Sequence, residues 1–217
     1  FGFNYWCTYI AELSLTSGLV AVIFSTIVFF NIFNNALFLK TKVKPIVLSS
    51  ALLGFGGISL IFFDEILNFS LTNSNSKGFL IAIMGAFIAS LGNITSARNQ
   101  KKGIPVLQTN TFGMIYGSAA MLLIALIMGK ELTFDLSFTY VTSLLYLSIF
   151  GSIIAFTTYL ILLGNIGPDR AGYVTLLFPI IALLLSTIFE NYEWSLKAGF
   201  GIILVLSGNI LVLRKRI

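Results

Sequence analysis

The chain has 217 residues, 57% of them hydrophobic and 10% charged, with a mean hydropathy of +0.97. Soluble domains carry roughly 25% charged residues, so this composition excludes a water-soluble globular domain. A net charge of +5, no histidine and a single cysteine exclude a disulfide framework within the chain and remove the commonest metal ligand and general base.

Residues 1–14 (FGFNYWCTYIAELS) read as the last two-thirds of a helix, and the start reads as a truncation inside it. No basic segment precedes the apolar run and no small-residue cleavage site follows, so this is not a signal peptide. Seven fuller spans follow, at 17–39, 46–63, 78–97, 105–128, 138–163, 168–189 and 196–213. They have about the length that crosses roughly 30 Å of hydrocarbon. The loops between them are short: KTKVKP, DEILNFSLTNSNSK, RNQKKGI, GKELTFDLS, NIGPD and ENYEWS. Pro45, Pro105 and Pro168 stand at first helical turns, where the missing N–H costs least. The period-two alternation of a membrane barrel is absent. The expected fold is therefore all-α, a polytopic membrane bundle of eight helices with the first one partial.

Alternating the loops across a membrane collects Lys40, Lys42, Lys44, Arg98, Lys101, Lys102, Arg170, Arg214, Lys215 and Arg216 on one side. Only Lys77, Lys130 and Lys197 fall on the other. Ten cations against three make the first side cytoplasmic by the positive-inside rule, with the C-terminus inside. The basic residues are thus read as topology, and nucleic acid is not an expected partner.

Two segments placed 151 residues apart share a pattern of long helix, charged turn and glycine-bearing helix, one beginning at Ser17 and the other at Pro168; Gly57 falls on Gly208. The first long helix runs inward and the second outward. Inverted repeats of this kind are a common transporter architecture, with substrate near the midplane at the repeat interface.

The stretches AELSLTSGLVAVIFST, ARNQKKGIPVLQTNTFGMIYG, GNIGPDRAGYVTLLFPIIALLLSTIFENYEW and GIILVLSGNILVL resemble the EamA-type transporters of the drug/metabolite transporter superfamily. The likeness covers essentially the whole chain. It is clearest in the last fifty residues, where Pro168, Arg170, Ala171, Pro179 and Glu190 follow the family's P-x-R-A…P…E pattern. The resemblance implies ten helices in two inverted five-helix repeats. On that plan residues 1–66 are a truncated first repeat (helices three to five), 67–77 the inter-repeat loop, and 78–217 a second repeat of helices six to ten. It further implies a bacterial inner membrane, export or exchange of a small metabolite, amino acid or drug by alternating access, and no cofactor. Lipid, a small-molecule substrate and protons are the implied partners; a homodimer is left open. First-repeat relatives often carry proline where this chain has Val28, which leaves a kink there in doubt.

Glu12 is the one acidic residue within a span, and an ionisable group in a membrane helix is a functional candidate by default. It is also about one turn from the outer end, where it would reach interfacial water. Asn31, Asn34 and Asn35 share one helix face and can serve either as interhelical glue or as contacts for a polar substrate. Asn93 is a polar point on the small-residue seam of Gly85, Ala89, Ser90, Gly92 and Ser96. Gln108, Thr111 and Tyr116 are expected on roughly one side of their helix, with Asn110 nearby, either lining a pathway or solvating a helix end. Ser148, Ser152, Ala155 and Tyr159 stand at helical spacing, and the resemblance makes Ser152 and Tyr159 cavity-lining candidates. Thr175 precedes Pro179 by four residues, so the proline removes the N–H that would bond the Thr175 carbonyl. A gating or cavity role is expected there. Gly54, Gly56, Gly57, Gly199, Gly201 and Gly208 are read as packing positions, and Tyr192 and Trp194 as residents of the outer interface.

An intramembrane enzyme lacks its parts. The sequence has no histidine, no Gly-rich phosphate loop followed by lysine, no second acid in a span to pair with Glu12, and every lysine is placed in a loop. A metal site is not expected. A channel-like or structural subunit, or a fragment unable to transport, is the alternative to a secondary transporter.

Overall fold

The structure, a computed structural model, describes residues 2–70, 73–189 and 194–214. Glu190, Tyr192, Lys215 and Arg216 lie outside the described residues. Among the described residues every regular element is a helix. In chain order these are α1 (Phe3–Glu12), α2 (Ser17–Ser25), α3 (Ile27–Leu39), α4 (Pro45–Ile61), α5 (Phe63–Leu67), α6 (Asn73–Lys101) and α7 (Val106–Ile127). They continue with α8 (Phe138–Tyr146), α9 (Phe156–Ile166), α10 (Pro168–Ala171), α11 (Phe178–Phe189) and α12 (Leu196–Arg214). Four helical stretches are long and apolar enough to cross a membrane: Ser17–Leu39, Asn75–Lys101, Val106–Ile127 and Phe138–Ile166. Pro45–Ile61 and Leu196–Val212 are shorter apolar helices.

Several boundaries differ from the sequence reading. The polar stretch 64–77 is not simply a loop: it holds α5 and the first turn of α6, where the Asn75 side chain donates to the Ser70 carbonyl at 3.0 Å. Lys77, Lys101 and Lys197 accordingly stand in terminal helical turns rather than in loops. Pro45 and Pro168 are first-turn residues. Pro105 instead precedes its helix with ψ 139°, its carbonyl accepting the Thr109 N–H at 3.1 Å.

The span 17–39 is broken at Thr26, two residues before Val28 and without proline. The Ser25 and Thr26 hydroxyls each donate to the carbonyl three residues back, on Val22 and Ile23, at 2.6 Å. Such back-bonding competes with the helical ladder and bends helices, and the Thr26 N–H itself bonds the Ile23 carbonyl in the tighter i−3 pattern. The span 168–189 is broken in the same way by a 3₁₀ segment, Gly172–Leu177, immediately before α11. There the missing N–H is the cause. Pro179 cannot donate to the Thr175 carbonyl, and the Phe178 N–H takes that carbonyl instead. The carbonyl expected to be freed is therefore satisfied. With the 151-residue shift the two breaks superpose: α3 begins at Ile27 and α11 at Phe178.

The tightest helix pair is α4 with α12. A Cβ on Gly57 would lie 2.6 Å from the Gly201 carbonyl and 2.8 Å from the Val205 nitrogen; on Gly208 it would lie 2.8 Å from the Ser50 carbonyl and 3.1 Å from the Gly54 nitrogen. The shift of 151 turns 57, 50 and 54 into 208, 201 and 205, so each contact is the image of the other. Of the six glycines read as packing positions, Gly54, Gly57, Gly201 and Gly208 meet neighbours at close range, whereas Gly56 and Gly199 face open space. Ala51, Ile58 and Val205, all fully buried, extend this seam into the apolar core, which continues through Val28, Tyr173 and Leu176. The Tyr173 hydroxyl donates to the Val47 carbonyl and ties the 3₁₀ segment to the first turn of α4.

The two ends of the bundle are chemically distinct. At one end the Lys197 ammonium lies 2.7 Å from the Asp64 carboxylate and 4.6 Å from the Phe63 ring centroid, so α4 ends where α12 begins. At the other, the segments carrying Lys42, Lys44, Lys101 and Arg170 surround one cavity, so α3 ends where α10 begins.

Candidate functional site

Three helices carry a polar cluster into the bundle. Asn31, Asn34 and Ser90 are at most 1% exposed, and Asn93 is 7% exposed. The Asn93 amide nitrogen donates to Asn31 Oδ1 at 3.3 Å and to the Tyr159 hydroxyl at 3.0 Å, joining α3, α6 and α9. One turn along α3, Asn34 Nδ2 donates to Ser90 Oγ at 2.9 Å. Asn31 precedes Lys40 by nine residues, Asn93 precedes Lys101 by eight and Tyr159 precedes Gly167 by eight. At 1.5 Å per residue all three sit about 12–14 Å from the basic end. The cluster is thus a layer at one depth.

The hydrogen bonds within this layer are incomplete. Asn31 Nδ2, Asn34 Oδ1 and Asn35 Oδ1 are buried with no hydrogen-bond partner, although the large majority of buried polar atoms in proteins are satisfied. Asn31 Nδ2 lies 2.6 Å from where a Cβ on Gly172 would sit. The glycine lets the 3₁₀ segment approach the cluster, so the broken helix is the cluster's fourth wall. These atoms, one donor and two acceptors, are uncharged and follow one stretch of α3 from Asn31 to Asn35.

The other candidates separate into those the structure brings near this layer and those it does not. Asn110, 3% exposed, is the inward residue of its group and donates to Thr157 Oγ1 at 3.1 Å, two residues from Tyr159. Gln108 and Thr111 are exposed and Tyr116 is 69% exposed, stacked on Phe112. The buried positions of α7 are Asn110 and Gly117, one i,i+7 line from which Gln108 and Tyr116 are turned away. Thr175 and Pro179 lie at the helix break, where the Thr175 hydroxyl donates to the Gly172 carbonyl at 2.6 Å. Ser152 lies in a π-helical segment, Leu147–Ala155, none of whose residues is buried, and so stands apart from the cluster. Glu12 is exposed at the last residue of α1, away from it as well.

Two residues already noted on the polar face and the small-residue seam, and one that was not, also matter. Asn34 and Ser90 form the second link of the layer, and the i, i+3, i+4 spacing from Asn31 was the signal for the first of them. Gln100 donates to the Leu160 carbonyl at 2.8 Å and to Ser96 Oγ at 3.2 Å, clamping α6 to α9 below the layer. Its place in an apparent loop concealed it. No group of His, Cys, Asp or Glu among the described residues could hold a metal ion.

The fold and the sequence point to known proteins. Over 96% of its length the chain resembles a solved crystal structure with a TM-score of 0.76 and 17% identity, covering 71% of that protein; this likeness concerns the fold alone. It is 26% identical over 207 residues to the uncharacterized inner membrane transporter YedA of Escherichia coli (strain K12), covering 91% of this chain and 64% of YedA. An uncharacterized transporter of Clostridium kluyveri is 25% identical over 195 residues, covering 88% of this chain and 61% of that protein. The chain therefore spans somewhat under two thirds of the length of these relatives. Residues 76–214 match the EamA-like transporter family, and the chain belongs to that family.

Proposed function

We propose that the full-length protein is a secondary transporter of the inner membrane that exports or exchanges a small polar or amphipathic metabolite by alternating access, with the Asn31–Asn93–Tyr159 layer as the constriction of its pathway. The observation that carries this reading is the pair of buried, unpartnered amide atoms, Asn31 Nδ2 and Asn34 Oδ1, on neighbouring turns of α3 inside a membrane bundle. Uncharged partners suit a cargo whose charges cancel or are absent. A multiply anionic cargo would want Lys or Arg at the layer itself. Membership of a transporter family and the names of the relatives favour transport over the channel-like and structural alternatives.

The architecture we infer is two inverted repeats, 1–66 and 78–217, joined through 67–77, with eight spans in this chain and the C-terminus cytoplasmic. Three observations support it. The α4–α12 contacts exchange under the 151-residue shift, the helix breaks coincide under the same shift, and the two long units run in opposite directions because α3 ends where α10 begins. The cation bias supports the orientation. Glu12, Asn31, Asn93, Gln108, Asn110, Tyr116, Ser152, Tyr159, Thr175 and Pro179 remain the candidate pathway set. Within it the four residues Asn31, Asn93, Asn110 and Tyr159 are the ones we assign to the wall.

The test is transport by the full-length protein in proteoliposomes across a panel of amino acids, amines and drugs, with the proton gradient on and collapsed. Accumulation of one solute beyond its own electrochemical gradient, lost in Asn93→Leu, is the expected result. Flux that only follows the gradient, or transport unchanged by Asn93→Leu in a folded protein, would overturn the reading.

A further inference from the structure

We propose that the cavity at the basic end of the bundle binds a phosphate group, carried on a free anion or on a phospholipid headgroup. The cavity measures about 630 Å³ and lies one helical turn beyond the amide layer, since Asn35, Ala97 and Leu163 in its wall stand four residues after Asn31, Asn93 and Tyr159. Four cations line it, Lys42, Lys44, Lys101 and Arg170, against one acid, Asp169, which leaves a net charge of +3. They come from three separate segments: the turn after α3, the last turn of α6 and the short helix α10.

Topology alone does not ask for this convergence. The positive-inside rule is satisfied by cations anywhere on the face, and Lys40, Arg98 and Lys102 do face elsewhere. Backbone geometry brings the others together. Lys40 ends α3 in the left-handed region at φ 52°, with the Thr41 N–H returning to the Asn35 carbonyl, and Gly167 turns the chain from α9 into α10 at φ 89°. Both turns fold their cations back over the same hollow. Burial pushes the Asp169 carboxyl up, against the opposing pull of the Arg170 and Lys44 charges, whereas Lys42 and Lys101 are exposed. Deeper in, Asn35 is 4% exposed, and its amide NH₂, not its unpartnered Oδ1, is the group able to donate to an anion.

Phosphate fits this set better than carboxylate. Three of the four cations are lysines, and lysines bind phosphate as point charges without the planar geometry that an Arg–carboxylate pair demands. A basic pocket between helix ends on the cytoplasmic side is also the setting in which phospholipid headgroups are held. The uncharged amide layer one turn above makes the anion a resident of the vestibule rather than cargo. The site therefore stands independently of what is transported.

The experiment uses the full-length protein, delipidated in detergent, with inorganic phosphate as the first probe and vesicles of phosphatidylcholine with or without phosphatidylglycerol as the second. Phosphate binding is read from ³¹P line broadening and thermal shift against chloride at matched ionic strength. Lipid binding is read from retention of the headgroup in native mass spectra. Loss of charge-assisted partners predicts phosphate affinity about tenfold weaker or worse in Lys42→Gln/Lys101→Gln, with Lys130→Gln, at the opposite end, unchanged. Broadening lost in the double variant assigns the site to a free anion. Phosphatidylglycerol retention lost in that variant, without inorganic phosphate binding, assigns it to lipid. If neither probe distinguishes the double variant from the parent, or Lys130→Gln weakens binding equally, the proposal is overturned. Should the double variant lose monodisperse elution, the single variants Lys42→Gln and Lys101→Gln make the same comparison.

Discussion

Replacing Gly57 by alanine tests the α4–α12 crossing directly. The new Cβ would stand 2.6 Å from the Gly201 carbonyl oxygen, 2.7 Å from Val205 Cγ2 and 2.8 Å from the Val205 nitrogen. Close carbon–oxygen approaches between helices run to about 3.3 Å, so the helices must part by roughly 0.7 Å. Two of the three obstructing atoms are backbone, so a rotamer change cannot relieve the overlap. A gap of about 0.5–1 Å forfeits a quarter to a half of each contact's attraction, and overpacking of well-packed interiors costs about 1–3 kcal/mol. Alanine also favours the helix over glycine by about 1 kcal/mol, which would mask part of that cost. Gly56→Ala removes this ambiguity, because it carries the same propensity gain and meets nothing within 4 Å. In SDS-induced unfolding from mixed micelles, Gly57→Ala should therefore be about 1–3 kcal/mol less stable than Gly56→Ala. Gly208→Ala against Gly199→Ala should show the same sign with a smaller size, since its closest obstruction is at 2.8 Å. Equal stability of Gly57→Ala and Gly56→Ala would refute the crossing as described.

Asn93→Leu removes the donor that Asn31 and Tyr159 share and leaves a buried amide acceptor unmet, at about 1–3 kcal/mol; unfolding measurements should show that loss together with a collapse of transport, whereas Tyr159→Phe should cost only about 1 kcal/mol. Glu12→Gln should leave the pH profile of transport within twofold of the parent, because Glu12 is exposed at the end of α1; a flattened profile in proteoliposome assays would return Glu12 to the coupling machinery. The Ser137 N–H and hydroxyl hold the Asp135 carboxylate at 2.8 and 2.9 Å and pull its titration below the ordinary carboxylate range. A lowered carboxyl contributes stability above its unfolded pKa of about 3.9 and loses it as pH falls through the lower folded value. An NMR titration of the Asp135 carboxyl should thus find its midpoint below that value in the parent and restored toward it in Ser137→Ala; a parent midpoint at or above the unfolded value sinks the assignment.

Four membrane-length spans and two shorter apolar helices were legible in the sequence because long, nearly uncharged apolar stretches have one main physical use. What happens inside a span was less legible. Pro179 announced a break, but the break spanning Ser25 and Thr26 is made by two hydroxyls whose side chains, in another rotamer, would have bonded nothing of consequence. The amide layer was half visible. Asn31 was noted on a polar face with Asn34 and Asn35, and Asn93 as a polar point on another helix, yet nothing in a one-dimensional pattern says that positions 62 residues apart share a hydrogen bond. Gln108 and Tyr116 misled for the complementary reason. A 3.6-residue period identifies a face but not which face turns inward, and on α7 the inward line passes through Asn110 and Gly117.

The two helix breaks stand at matched positions, 27 and 178, and are produced by unlike chemistry. On one side a proline withholds an N–H from the Thr175 carbonyl and the Phe178 N–H replaces it. On the other, every N–H is present and two hydroxyls compete for the carbonyls. When dissimilar residues give the same backbone at equivalent places, what the packing demands is the break itself rather than any residue that makes it. The reason is visible at Gly172, where the loosened segment of one unit presses against Asn31 on the other. Gly172 has no Cβ there, and one would stand 2.6 Å from Asn31 Nδ2, so the segment's backbone approaches the amide layer directly. The breaks and the polar layer are thus one feature. The first brings the backbone to the amide layer, and the second supplies the unpaired donor and acceptors on which the proposed pathway rests.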